Sequence, residues 1–168
     1  MGYRCEQCGV WHDERPMSFR AELPAIVATL GGSELSSRVE RGSDQCILDR
    51  EHFFILGNLD ILVRGADDRL RWTVWTELTA KDFERASELW SKPGRETEPP
   101  YIGRLSNDIP GYPSSMDIRA LVHTQPVGMR PTIEVIDERH PLAIDQHNGI
   151  TEARADELIH AALHEDRH

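Results

Sequence analysis

Apolar and polar positions change period several times along this chain, and each change marks an element. From Leu70 to Leu78 the sequence alternates, placing Leu70, Trp72, Val74, Thr76 and Leu78 on one face. Period two in β-branched and aromatic residues marks a strand. Residues 52–63 before it form a longer apolar run that alternates at Leu59, Ile61 and Val63, and Gly65-Ala66-Asp67-Asp68 between the two is a turn cluster. The pair reads as an antiparallel hairpin. Shorter runs at 45–49, 101–105, 117–124 and 131–137 supply the remaining strands.

Helical spacing appears in three places. Pro24 suits the first turn of a short helix through Ala25-Ile26-Val27-Ala28-Thr29-Leu30, which Gly31-Gly32 would end. Residues 33–41 read as a connection to the first strand. Thr79 with Asp82 resembles a capping box, and Phe83, Ala86, Leu89 and Trp90 then follow at helical spacing until Pro93-Gly94. Ala155, Leu158, Ile159, Ala162 and Leu163 form the stripe of a C-terminal helix from about Thr151. Residues 1–19, rich in Cys, Gly, His and Pro, read as irregular, and 164–168 as a frayed tail. The expected architecture is one α+β domain over residues 1–168: a mainly antiparallel sheet of about five to six strands, two or three helices, and an N-terminal zinc-knuckle-like segment packed on the sheet.

Composition narrows the function classes. The chain is 39% hydrophobic and 29% charged, with a net charge of −10. An acidic surface repels nucleic-acid phosphates, so no nucleic-acid partner is expected, whereas a basic protein partner would be steered toward it. No apolar run approaches the ~18 residues of a membrane span, and the first residues lack a secretory pattern. A cytoplasmic protein is the expectation. Three cysteines, an odd number, favour metal or catalytic use over a disulfide framework.

The chemistry-bearing cluster is Cys5-Glu6-Gln7-Cys8-Gly9-Val10-Trp11-His12. Two thiols separated by two residues, with glycine after the second, make a turn in which both sulfurs converge on one ion. With His12 and Cys46 the set becomes three cysteines and one histidine, the closed tetrahedral arrangement of a structural zinc. Alternatives stay open at each end of that set. His52 is a substitute for His12, Cys46 is equally readable as a buried small hydrophobe, and a redox use of the CxxC would want a strand before it.

Outside the metal cluster, His140, Asp145 and His147 sit in a polar stretch before the last helix. An aspartate orienting a histidine is a common acid–base device, and these are the weak catalytic candidates of the sequence. No nucleophile elbow, phosphate-binding glycine loop or zinc-protease motif accompanies them. Read blandly, the stretch is a hydrogen-bonded loop. Trp72, Trp75, Trp90 and Tyr101 read as core aromatics, with Trp75 on the opposite strand face from Trp72. Arg104, Arg119 and Arg130 are candidates for an anionic ligand or for surface ion pairs.

Several motifs recur in a fixed order: Cys5-x2-Cys8-Gly9-x2-His12, Ser43-Asp44-x-Cys46, Trp72-x2-Trp75, Tyr101-x-Gly103-x-Leu105, Pro110-Gly111-Tyr112-Pro113, Arg130-Pro131 and His140-Pro141-Leu142-Ala143-x2-Gln146-x2-Gly149-Ile150. Together they resemble the bacterial family known as domain of unknown function 2199, over nearly the whole chain. The resemblance implies a bacterial, one-domain, metal-suggestive protein and carries no activity with it. The expected function is a zinc-stabilised binding or accessory protein, in the manner of an immunity-type inhibitor. The alternative is a small enzyme using the acid–base residues of 140–149.

Overall fold

The computed structural model describes residues 16–164 together with the backbone of 3–4 and 11–12. Two short strands come first: β1 (Tyr3–Arg4) and β2 (Trp11–His12) pair antiparallel, Tyr3 opposite His12. Then follow β3 (Ser18–Arg20), α1 (Ala25–Ala28), α2 (Gly32–Arg38), β4 (Val39–Arg41) and β5 (Gln45–Leu48). The long hairpin is β6 (His52–Val63) with β7 (Asp68–Leu78). The chain continues through α3 (Ala80–Glu88), β8 (Tyr101–Leu105), β9 (Arg119–His123), β10 (Thr132–Val135), α4 (Pro141–Asn148) and α5 (Glu152–His164).

The fold is α+β, as expected, but the sheet is larger than the sequence suggests. Eight strands join in the order β3-β7-β8-β9-β10-β6-β5-β4, and the β6–β7 pairing closes five of them into a barrel. The count rises because β3 and β4, each three residues long, lie in segments without a periodic signal. Such strands borrow their order from the neighbour they pair with. The helices number five among the described residues, two more than the upper expectation. Gly31, read as the end of α1, instead caps α2, whose Glu34 and Arg38 pair at 3.1 Å one turn apart.

The hairpin does most of the organising. All of Phe53 to Val63 pairs with Leu78 to Asp68 in unbroken register. Each strand then splits its outer edge between two partners. β6 gives its first half to β5 and Asn58 to β10, while β7 gives Arg71–Thr73 to β3 and Thr76–Glu77 to β8. The barrel closes where the antiparallel β8-β9-β10 unit meets these two long strands.

Both seams need glycine. A Cβ on Gly57 would stand 2.5 Å from Ile133 Cδ1 and 3.0 Å from the Pro131 carbonyl oxygen. One on Gly103 would stand 2.5 Å from Thr76 Cγ2 and 2.8 Å from the Glu77 carbonyl oxygen. Close backbone approach is what glycine in a strand permits.

Burial along β7 shows why alternation fades at its centre. Trp72 to Thr76 are all buried, because both faces of the sheet are covered. The barrel-side core holds Leu59, Leu70, Trp72, Leu105 and Ile133 with Leu142 and Leu158 of α4 and α5. A second cluster on the other face gathers Val27, Cys46, Leu48, Phe54, Leu56 and Trp75, closed over by Leu23, Leu30 and Leu35. Trp75 Nε1 donates to the Ala21 carbonyl at 3.1 Å, so the second tryptophan is a core residue and no surface is made of it. No described helix is long and apolar enough to cross a membrane.

Candidate functional site

Of the zinc residues, Cys5 and Cys8 lie outside the described residues, and of His12 only the backbone is described. Cys46 is fully buried on β5, opposite Phe54 and packed among Val27, Leu48 and Trp75. Burial pushes its thiol pKa above the usual range, more than the nearby Arg41 lowers it. That packing is the setting a small core side chain occupies. Among the described residues no group of three or more His, Cys, Asp or Glu side chains is placed to hold a metal. His52 faces Glu77 instead, Nδ1 to Oε2 at 2.9 Å.

The 140–149 stretch is helix, not loop. Pro141 at the first turn and His140 at the cap start α4, and Gly149 at φ 78° ends it. Its polar run Asp145-Gln146-His147-Asn148 hides the helical period. His140 Nδ1 accepts from the Leu142 amide at 3.1 Å, which leaves Nε2 to donate toward the Pro113 and Ser114 carbonyls at 3.1 and 3.0 Å. Asp145 accepts from the Tyr112 hydroxyl at 2.7 Å and lies 3.7 Å from Arg154, while His147 is exposed. His140 and Asp145 thus make their contacts with different partners.

Burial, then the Asp145 hydrogen bond, push the Tyr112 hydroxyl pKa well above its ordinary value. Arg154 lies 5.0 Å over the same ring, and Gly111 is pressed against Leu158, so the Pro110-Gly111-Tyr112-Pro113 and His140-Pro141 motifs together pin α4 and α5 to the barrel.

A cavity of about 350 Å3 opens between α3 and one end of the barrel. Its floor is apolar: Ile55 from β6, Ala86 and Leu89 from α3 and its end, Val122 from β9, and the ring of Tyr101. Trp90, Val127 and Met129 form the rim, exposed by 37%, 45% and 57%. The rim loop is built for its shape. Met129 N donates to the Pro126 carbonyl at 3.0 Å, and Gly128 at φ 92° takes the position that a type II turn reserves for glycine.

Arg95 fastens that loop to the end of α3. Its guanidinium donates to the carbonyls of Trp90, Gln125, Pro126 and Met129 at 2.7 to 3.1 Å and sits 5.8 Å over the Trp90 ring. On the same wall Arg130 is held by Asp44, Nε to Oδ2 at 3.1 Å and Nη2 to Oδ1 at 3.4 Å. The Tyr101 hydroxyl is buried without a hydrogen-bond partner among the described residues, and burial, then Glu98, raise its pKa.

Of the motif residues, Ser43, Asp44, Tyr101, Arg130 and Pro131 share the cavity wall, and the comparison with known proteins gives the chain a family. The model of DUF2199, described as an uncharacterised protein conserved in bacteria, matches residues 4–150. The chain belongs to that family. No curated protein and no solved structure matches it.

Sequence reasoning reaches part of this cavity and misses the rest. Trp90 and Tyr101, read as core aromatics, both line it, while Trp72 and Trp75 lie elsewhere in the core. Arg130, an anion candidate, is on its wall; Arg104 and Arg119 face each other across β8 and β9, away from it. Arg95, Val127 and Met129 carry no motif that singles them out. The signal available for the last two is an apolar Val-Gly-Met inside a Pro-rich turn, where solvent-facing residues are normally polar.

Proposed function

We propose that the protein is a binding protein whose seat is the cavity under α3. One observation carries the reading. Three of the seven exposed large hydrophobics among the described residues, Trp90, Val127 and Met129, ring this single opening. Scattered exposed apolar residues need no explanation, but a cluster around a concave, mostly apolar site does. The volume is at the lower end of the ~300–1,000 Å3 of small-molecule sites. Arg95 fastens the rim through the protein's own carbonyls, and a rim held in this way lowers the ordering cost of binding.

Titration with the neutral probe 1-aminoanthracene tests this. Saturable one-site binding, lost when Ala86→Phe fills the floor, is expected. A response that Ala86→Phe leaves untouched would remove the cavity from consideration.

The N-terminal cysteines fit a separate, structural role: zinc held by Cys5 and Cys8, with His12 and Cys46 as the remaining candidates. Supporting it are the CxxCG spacing and the antiparallel pairing of the strands that flank it in sequence. Less than about half an equivalent of zinc in protein purified without chelator, with no loss on Cys5→Ser, would sink it. An unchanged zinc content in Cys46→Ala would remove Cys46 from the ligand set alone.

An immunity-type role toward a basic protein keeps the support of the −10 net charge. The enzyme reading has less support: His140 and Asp145 face different partners, and His147 is exposed.

A further inference from the structure

We propose that the cavity selects small apolar monoanions, carboxylates with a hydrocarbon body, and that Arg130 takes the carboxylate. The inference rests on the cavity being the binding seat and adds the charge of what enters it.

Among the described residues, the charged side chains on the cavity wall are two guanidiniums, Arg95 and Arg130, and one carboxylate, Asp44. The wall is therefore net positive in a chain whose net charge is −10. Arg95 has no carboxylate partner among the described residues; its donors go to four backbone carbonyls. Carbonyls satisfy hydrogen bonds but leave the unit charge uncancelled.

Arg130 is paired on one edge only. Asp44 occupies Nε and Nη2, and Nη1 makes no hydrogen bond to any described residue. Guanidinium presents five donors in a rigid fork, so holding one edge fixes the direction of the others. Asp44 is thus a positioning residue, and it does not exhaust the donor it positions. Both side chains are largely covered, with exposures of 35% for Arg130 and 17% for Asp44, and a charge–charge contact there is screened less than on open surface. The rest of the lining, Ile55, Leu89, Val122 and the Trp90 and Met129 rim, offers an apolar body its burial. One anionic end and a hydrocarbon remainder is the chemistry that matches both halves of the wall.

Calorimetric titration with 3-phenylpropionate and its neutral amide, 3-phenylpropanamide, reads the charge directly. The acid is expected to bind about tenfold or more tightly than the amide, a gap of roughly 1.4 kcal/mol. Its affinity should fall as salt rises while that of the amide stays level. Arg130→Gln should close the gap by weakening the acid only, and Arg130→Lys, which keeps the charge without the fork, should leave an intermediate gap. Equal binding of acid and amide, both blocked by Ala86→Phe, would overturn the anion selection and leave the cavity as a neutral binding site. Binding of 1-aminoanthracene with neither phenyl compound binding would overturn it too. No binding of any of the three would take the cavity reading down with it.

Discussion

The Gln146 side chain completes the edge of β10 as a further strand would. Its Oε1 accepts from the Val135 amide at 2.7 Å while its Nε2 donates to the Ile133 carbonyl at 2.8 Å, two residues apart on the same strand. A carboxamide carries an acceptor and a donor on separate atoms of one planar group, so it meets both. Through it α4 is hydrogen-bonded to the barrel as well as packed on it.

Gln146→Glu tests that relationship. The carboxylate keeps the acceptor for Val135 but faces the Ile133 carbonyl, and the charged form is disfavoured. The introduced carboxyl should have a folded pKa above the unfolded value of ~4.3. A raised pKa means stability is retained below the unfolded value and lost as pH rises through the folded one. Urea midpoints should be near wild type at pH 4 and lower by about 1–3 kcal/mol equivalent at pH 7.5. A variant equally stable at both pH values would contradict the pairing.

The two glycine seams should respond differently to rescue. Gly57→Ala meets chiefly the Ile133 side chain, so adding Ile133→Val, which removes Cδ1, should recover part of a loss of about 1–3 kcal/mol. Gly103→Ala meets the Glu77 backbone carbonyl at 2.8 Å besides Thr76 Cγ2, so Thr76→Ser should not rescue it. Double-mutant cycles in urea read the coupling directly, and equal rescue at both seams would mean the backbone yields more easily than the geometry implies.

Arg95 holds the rim of the cavity through four backbone carbonyls and the Trp90 ring. Arg95→Lys keeps the charge and loses the planar fork, so its effect separates geometry from electrostatics. Stability should fall by about 1–2 kcal/mol. Amide exchange at Met129 and its neighbours should accelerate, because the loop opens without unfolding the barrel. Unchanged exchange across 124–131 would show that the turn chemistry of Gly128 suffices by itself.

Two tyrosine hydroxyls give the protein an alkaline limit. Tyr112 and Tyr101 both have pKa values raised by burial first, Tyr112 also by its bond to Asp145 and Tyr101 by Glu98. Groups with raised folded values contribute stability that is whole below the unfolded pKa of ~10 and is lost as pH climbs through the folded one. The urea midpoint should therefore fall from about pH 10 upward. Tyr112→Phe should remove the larger share of that slope, at the cost of leaving Asp145 with Arg154 as its remaining partner. A slope unchanged in both Tyr112→Phe and Tyr101→Phe would place the titration in another group.

What the chain determines locally is legible in its residue pattern. The β6–β7 hairpin follows from alternation on either side of a Gly-Ala-Asp-Asp turn, and α3 begins at Thr79, whose hydroxyl accepts from the Asp82 amide at 3.1 Å. The stripe of α5 and the alternation at 101–105 are equally plain, because each pattern is written in residues a few positions apart. Helix α4 escapes that kind of reading. Its order comes from Gln146, Tyr112–Asp145 and the His140 cap, contacts that reach up to 86 residues along the chain.

The barrel and its cavity are decided only in three dimensions. Gly57 and Gly103 are ordinary glycines until two strands from distant parts of the chain must approach within van der Waals contact of them. Arg130 reads as a surface charge until Asp44, 86 residues away, turns it along the cavity wall. Periodicity dictates which face of an element is apolar, but it carries no information on which other face will cover it. That choice is made by closure of the sheet, where steric fit at two seams outweighs the local preference of any single strand.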